Sequence, residues 1–325
     1  FGRSLYPPER LRKAEQALCT GAHLGCRLWF ASGVPSPEQA PTPEAKHLAE
    51  QAQLQADCNR AYYAKNRALH RSVVLRLTEQ IRNCILVHQQ PNARIARSGA
   101  LDPERVWRAP LLNDSRVFRC AEEENQPSFT VDLLLDASAS RLHCQEVIAA
   151  QGTILAQSLA ACGIPVRVSS FCSLRGYTVL RVLKGFADKS LQGIDQYFAS
   201  GWNRDGLALR AAGDLVSFDP GPAPRHLLIL LTDASPNDSR RVPPSPEQPL
   251  GCDYGGSYGV DDAAAEVRTL RRKGLRVSAV FMGEDSSSHD AERIYGKNLA
   301  RIRGMDQLAR AAGRLIQNEI RELGD

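Results

Sequence analysis

The spacing of apolar positions changes character once along this chain, and the change divides it in two. From about Ala45 to His88 no Pro or Gly interrupts, and Leu69, Val73, Leu77, Ile81 and Ile85 recur every four residues. That stripe predicts one long helix, broken at most once. Residues 8–18 predict a shorter helix, followed by a Gly-punctuated turn and by Pro35, Pro37, Pro41 and Pro43. Residues 90–127 read as irregular, with Pro91, Gly99, Pro103, Pro110 and the acidic run Glu122–Glu124, and they place a domain boundary near Pro127.

Beyond that point strands and helices alternate. Phe129–Leu135 is a continuous β-prone apolar run, as expected of a strand buried on both faces. Helix is predicted over Leu142–Cys162, stopped by Gly163. Strands follow over Val166–Cys172 and Tyr177–Leu183, joined tightly at Arg175 and Gly176 and therefore antiparallel. Helices are expected at Gly206–Val216, Asp261–Lys273 and Met305–Leu323, and strands at His226–Leu231 and Val277–Met282. The alternation predicts an α/β domain with a doubly wound, mostly parallel sheet and an antiparallel edge strand, preceded by a mainly helical region. The expected organisation is residues 1–127 helical and 128–325 α/β. Residues 234–260 hold five prolines and the cluster Asp253-Tyr254-Gly255-Gly256-Ser257-Tyr258-Gly259. A structureless loop that long is usually functional, and its position after a strand puts it at the carboxyl edge of the sheet, where such folds bind ligands.

Composition narrows the class. With 325 residues, 43% hydrophobic, and a net charge of +5, the chain is long enough for about two folded domains and unlike a disordered one. No apolar run is long enough to span a membrane, no charged-then-apolar leader opens the chain, and the first residue, Phe, reads as the start of a fragment. Nine cysteines at irregular spacings do not form a disulfide framework and fit a reducing, cytoplasmic setting. Positive charge is concentrated between Arg60 and Arg97, where eight basic residues face one acid, Glu79.

The candidate chemistry lies at the end of the first strand of the second half, Asp136-Ala137-Ser138-Ala139-Ser140. Alternation puts the carboxylate and both hydroxyls on one side of one loop, presenting hard oxygens without nitrogen or sulfur. A hard divalent cation takes about six such oxygens, so other strand ends must contribute. Asp233 ends the strand Leu227–Thr232, and the loop Trp202-Asn203-Arg204-Asp205-Gly206 offers Asn203 or Asp205. Mg²⁺ is the expected ion, although oxygen ligands suit Mn²⁺ and Ca²⁺ too.

Asp-x-Ser-x-Ser behind an apolar strand, with a later strand ending Thr232-Asp233, resembles the metal-ion-dependent adhesion site of von Willebrand factor A (VWA) domains, over residues 128–323. The resemblance gives Asp136, Ser138, Ser140 and Asp233 the family's ligand positions. The usual Thr of the second loop is Asn203 here, with Asp205 the alternative. It also implies that the hydroxyls bind the ion directly, that the acids act largely through water, and that a partner carboxylate completes the shell. A narrower resemblance, to the nitric oxide reductase activation (NorD-type) and cobaltochelatase CobT-type proteins, rests on Asn203–Gly206, Asp233–Asp238, Tyr254–Asp261, Ile294–Gly296, Leu18–His23, Arg105–Arg108 and Phe171–Tyr177. It implies a non-enzymatic chaperone or metal-insertion factor working with a MoxR-type AAA+ ATPase on a client protein.

Other readings are weaker. Cys19, His23 and Cys26 offer three zinc-type ligands without an evident fourth, in no standard finger spacing. Ser138, His143 and Asp233 contain the residue types of a hydrolase triad, but the Gly-x-Ser-x-Gly turn is missing. No phosphate-binding loop is present, so ATP chemistry would belong to a partner. The Arg60–Arg97 segment with Tyr62 and Tyr63 supports an RNA-binding adaptor as the alternative function, although the segment has no repeat and nucleic acid is not the expected partner.

Overall fold

The computed structural model of the chain describes residues 1–33, 35–88, 93–121, 129–244 and 249–324. The first part contains β1 (Arg3–Ser4), α1 (Pro8–Leu18), β2 (Arg27–Ser32), α2 (Pro43–Lys65) and α3 (Arg67–His88). A small antiparallel sheet follows, β3 (Ala93–Ala96), β4 (Ala100–Leu101) and β5 (Phe118–Ala121), with the short α4 (Arg108–Leu112) between its strands. The second part runs β6 (Phe129–Asp136), α5 (Gln145–Ala161), β7 (Val166–Leu174), β8 (Tyr177–Lys184), α6 (Asp205–Phe218), β9 (Arg225–Thr232), β10 (Asp238–Val242) and β11 (Cys252–Tyr254). It closes with α7 (Gly256–Arg272), β12 (Arg276–Phe281), α8 (Ser288–Tyr295), β13 (Leu299–Arg301) and α9 (Met305–Gly324).

Eight strands form one sheet in the order β1-β2-β8-β7-β6-β9-β12-β13. Pairing is parallel except for β7 with β8 and β1 with β2. All eight residues of β6 are buried, as its unbroken apolar run requires of a central strand. Its odd positions, Phe129, Val131, Leu133 and Leu135, join a core with α3, α5 and α9, while Leu134 joins a second core with α6 and α7 on the opposite face. This doubly wound α/β arrangement puts the carboxyl ends of β6 and β9 side by side, with Leu135 paired to Leu231. Asp136 and Asp233 follow directly. Ligand sites of such sheets form at this edge.

The sheet and its cores cross the expected boundary. Trp29 of β2 pairs with Val179 of β8 in parallel, so the first residues extend the sheet. The β7–β8 hairpin, expected at the edge, consequently lies inside it, and β1 supplies an antiparallel edge strand instead. Val73, Leu77 and Ile81 of α3 sit in the same core as β6. Pro127 itself, like Glu122–Glu124, lies outside the described residues.

The long helix breaks at Asn66 into α2 and α3. Leu69, placed on the buried stripe by its four-residue spacing, is 48% exposed. A strict repeat of four drifts by about 40° per step on a helix of 3.6 residues per turn, so a stripe centred on Leu77 has rotated away by Leu69. The described residues of the 234–260 segment include regular structure. β10 and β11 form a hairpin there, and α7 starts at Gly256, five residues before the expected Asp261. Among the described residues, no helix is long and apolar enough to cross a membrane.

Candidate metal centre

After β6 the chain turns through Ala137–Ala139, and this turn is held from below. Ala137 N donates to Phe171 O (2.9 Å), Ser200 N to Ala137 O (2.7 Å) and Ala139 N to Gly201 O (2.9 Å). Those anchors fix which way the following side chains point. Asp136 Oδ1 accepts the Ser138 amide (2.9 Å), and Asp136 Oδ2 accepts the Thr232 hydroxyl (3.3 Å). The Ser138 and Ser140 hydroxyls are 2.8 Å apart, and Ser140 Oγ donates to Asp233 Oδ2 at 2.8 Å. A continuous line of oxygens therefore runs from the end of β6 to the end of β9. Ala234, with φ of 54°, takes a left-handed turn immediately after Asp233 and is fully buried. Such a non-Gly residue costs about 1–2 kcal/mol unless its surroundings enforce it.

Asp205 completes the cluster. Its carboxylate is wholly buried, and neither oxygen has a hydrogen-bond partner among the described residues. The Asn203 side chain, facing it as a donor outside good hydrogen-bond geometry, favours the ionised form. Its amide, however, donates to Ser235 O (3.1 Å), and its Oδ1 accepts the Asn237 amide (3.3 Å). Asn203 thus ties the second loop to the third, and Asp205 is the free oxygen donor of that loop. Burial, followed by the charges of Asp136 and Asp233, pushes the Asp205 carboxyl well above the carboxylate range. Burial and the neighbouring Asp233 push Asp136 up to about 7. The Tyr295 hydroxyl is also buried without a partner among the described residues, with burial and then Asp205 opposing its ionisation.

Arg141, next in sequence after Ser140, was not singled out by sequence reasoning. Its guanidinium is buried, forms an ion pair with Asp233 and donates from Nε to Ser140 Oγ (3.3 Å) and from Nη1 to Met282 O (3.1 Å). When ionised, the three carboxylates less this one guanidinium leave a formal charge of −2. The signal available in the sequence was a basic residue abutting the motif.

An all-oxygen donor set, a formal charge of −2 and an orphaned buried carboxylate fit a hard divalent cation. The oxygens of Asp136, Asp205 and Asp233 do not all lie within 4.8 Å of one another.

The neighbouring charges serve a different purpose. Arg204 is wholly buried. It donates from Nε to His23 Nδ1 (3.1 Å), from Nη1 to Asp238 Oδ2 (2.9 Å) and Arg240 O (2.8 Å), and from Nη2 to Ala22 O, with its guanidinium carbon 4.1 Å from the Tyr254 ring centre. Tyr254 donates to Asp262 Oδ2 (2.7 Å) and accepts the Gly206 amide (3.1 Å). A Cβ on Gly206 would lie 1.9 Å from Asp262 Oδ2, so any other residue there would displace the Asp262 carboxylate from Tyr254.

His23, Asp262 and Glu266 are close enough to share an ion. Arg204 nevertheless uses the lone pair of His23 Nδ1, so the neutral ring carries its proton on Nε2, 3.4 Å from Asp262 Oδ2. A protonated ring nitrogen is not a ligand. Cys19 and Cys26 are buried, and burial pushes the Cys19 thiol up to about 12, away from the thiolate a metal needs. The three zinc-type residues are therefore not assembled as a ligand set. Ser138 is paired with Ser140, and His143 is exposed, so no hydrolase triad forms. Arg60, Lys65, Arg67, Arg71, Arg76, Arg82 and Arg97 are exposed along α2, α3 and the small sheet, and the Arg94 side chain lies outside the described residues.

Fold and cluster together define a doubly wound α/β architecture with an acidic all-oxygen site at the carboxyl edge of its sheet. No protein-family model matches the chain. Over 141 residues, 42% of this chain, it is 27% identical to Protein NorD of Brucella suis biovar 1 (strain 1330), and it is 26% identical over the same length to Protein NorD of Brucella abortus (strain 2308). The chain spans 20% of the length of these curated relatives. By sequence it resembles the NorD proteins.

Among solved structures it is similar to the vWF domain of the type V pili tip protein Mfa5 from Porphyromonas gingivalis, with a TM-score of 0.40 and 11% identity over 60% of this chain and 94% of that one. It is also similar to the manganese-loaded TRAP protein of Plasmodium vivax, with a TM-score of 0.41 and 13% identity over 58% of this chain and 74% of that one.

Proposed function

We propose that the chain is a non-enzymatic VWA-type adaptor that holds a divalent cation, Mg²⁺ in the first instance, and offers it to an acidic residue of a partner. The observation that carries this reading is Asp205, a wholly buried carboxylate with neither oxygen hydrogen-bonded among the described residues. A charge buried without a counter-charge costs several kcal/mol, and a cation removes that cost. Asp136, Ser138, Ser140, Asp205 and Asp233 would hold the ion. Neutral hydroxyls in the set leave a bound cation electrophilic enough to accept an outside carboxylate.

The rim of the site suits protein contact. Leu142 and Trp202, which flank the two ligand loops, are 53% and 45% exposed. Exposed Trp beside a polar centre is a common energetic focus of interfaces. The NorD likeness supports a MoxR-type AAA+ ATPase as the partner and a client enzyme as the beneficiary, in a nitric oxide reductase activation-like role. The eight free cysteines among the described residues support a reducing, cytoplasmic setting.

The test is co-purification of the chain with a co-expressed MoxR-type ATPase, in Mg²⁺ and in EDTA, for the wild type and Asp136→Ala. The reading expects capture in Mg²⁺ only, lost in the variant while its far-UV circular dichroism is unchanged. Equal capture by both proteins in both buffers would overturn it.

A further inference from the structure

A cavity of about 910 Å³ lies away from the acidic cluster, between β7–β8 and the start of α2. Cys172 and Leu174 of β7 and Val179 and Arg181 of β8 share the sheet face that floors it. Opposite, α2 turns the small side chains of Ala45, Ala49 and Ala52 inward, and that choice of residues leaves the space open. The volume falls in the range of small-molecule sites, about 300–1,000 Å³.

Arg181 is the anomaly in this cavity. Its Nε is sealed from solvent and has no hydrogen-bond partner, and no carboxylate pairs with its guanidinium among the described residues. Burial lowers its pKa, and the group that most offsets this is the Cys172 thiol rather than an acid. The one acid in the lining, Glu44, is exposed at the mouth, where it feels Arg175. Arg181 itself is of intermediate exposure, whereas the buried arginines each have a carboxylate: Arg141 has Asp233 and Arg204 has Asp238. Arg167 likewise pairs with Asp132. A partly buried cation with a sealed, unpartnered Nε and no counter-charge is unfavourable, and Met or Leu at this position would fill the same space without a charge to compensate.

We propose that this cavity binds a small organic anion with an apolar body, whose carboxylate or equivalent acid group is the missing counter-ion of Arg181. A planar guanidinium suits an oxyanion through two parallel hydrogen bonds. Leu48, Leu174, Val179 and Phe198 supply apolar wall for the remainder of the ligand, and Arg3 and Arg175 at the mouth attract negative charge. None of the cluster's oxygen donors lines the cavity, although Ser200, which anchors the Ala137–Ala139 turn, does, so the two sites are tested by separate ligands.

The test is calorimetric titration of the chain with decanoate below its micelle concentration, with decanol, and with inorganic phosphate. Decanoate is expected to give a single-site isotherm at least about tenfold tighter than either decanol or phosphate. Arg181→Met is expected to weaken decanoate by about tenfold or more, to leave decanol unchanged, and to raise the midpoint of thermal unfolding because it removes an uncompensated charge. Ala49→Phe, which keeps Arg181 but fills the space, is expected to abolish decanoate binding. Decanoate binding no tighter than decanol, an Arg181→Met protein that binds decanoate as the wild type does, or one that unfolds would each overturn the proposal. So would decanoate binding that survives Ala49→Phe.

Discussion

Arg204 and Asp205 are consecutive residues, both wholly buried, and they open the same helix. The guanidinium of Arg204 meets a carboxylate, an imidazole nitrogen, two backbone carbonyls and an aromatic face. The carboxylate of Asp205 meets the charges of three other acids, Asp136, Asp233 and Asp262, and among the described residues only the neighbouring Asn203 amide favours its charge. The first arrangement is finished within the chain and ties residues 22–23 to the β10–β11 hairpin. The second awaits a positive charge from outside. A buried charge is thus diagnostic through its partners: satisfied, it holds the fold together, and orphaned, it marks a receptor.

Breaking the satisfied side should have the largest effect. Arg204→Met strands Asp238 and His23 in the interior and is expected to cost about 3–5 kcal/mol in urea unfolding. A loss below about 1 kcal/mol would show that the hub is not a unit.

The two regions should also respond to pH with opposite signs. His23 is pushed down to about 2, first by burial and then by Arg210 and Arg204, from about 6.5 in an unfolded chain. The unfolded chain therefore takes up a proton below about pH 6.5 that the folded one refuses, and stability falls on acidification from there. Asp136, pushed up to about 7 from about 3.9, behaves in reverse. Its contribution is present below about pH 4 and is lost as the pH rises through about 7. Each slope is at most about 1.4 kcal/mol per pH unit.

Asp132, Asp262 and Glu319, also raised by burial, add to the second slope, so the part due to the metal centre is the difference between EDTA and saturating Mg²⁺. Thermal midpoints across pH 4–8 should show that difference. His23→Gln should flatten the acid limb alone.

Removing the orphan should help the metal-free protein. Asp205→Asn is expected to raise metal-free stability by about 1–2 kcal/mol while weakening cation binding, and a loss of stability in EDTA would contradict its reading as an orphan. The smallest effect belongs to Arg141→Gln. Without the guanidinium beside Asp233 and Ser140, a cation meets less repulsion, and its affinity should rise by about tenfold in calorimetry.

Much of this was legible before folding because it is local. The unbroken apolar runs of β6 and β9 announced buried central strands, and Asp136, Ser138, Ser140 and Asp233 follow them within a few residues. What escaped depends on distant partners. β2 is a six-residue strand whose partner, β8, begins at Tyr177, and nothing near Trp29 reveals that pairing. Cys19-x-x-x-His23-x-x-Cys26 looks like a metal motif until Arg204, far along the chain, takes the His23 lone pair. The choice between Asn203 and Asp205 was likewise open, since it turns on Asn203 bonding to Ser235 and Asn237 across a loop contact. Arg141 was overlooked for another reason: a cation was not sought inside a proposed cation site.

The most direct measurement is titration of Mg²⁺ and Mn²⁺ into metal-stripped protein by calorimetry, in two buffers of different protonation enthalpy, for the wild type and Asp205→Asn. A single cation site is predicted, with proton release that grows as the pH falls below about 7 and with binding strongly weakened in the variant. Absence of binding at millimolar cation, or binding that Asp205→Asn leaves unchanged, would contradict the claim that this carboxylate cluster is a cation receptor.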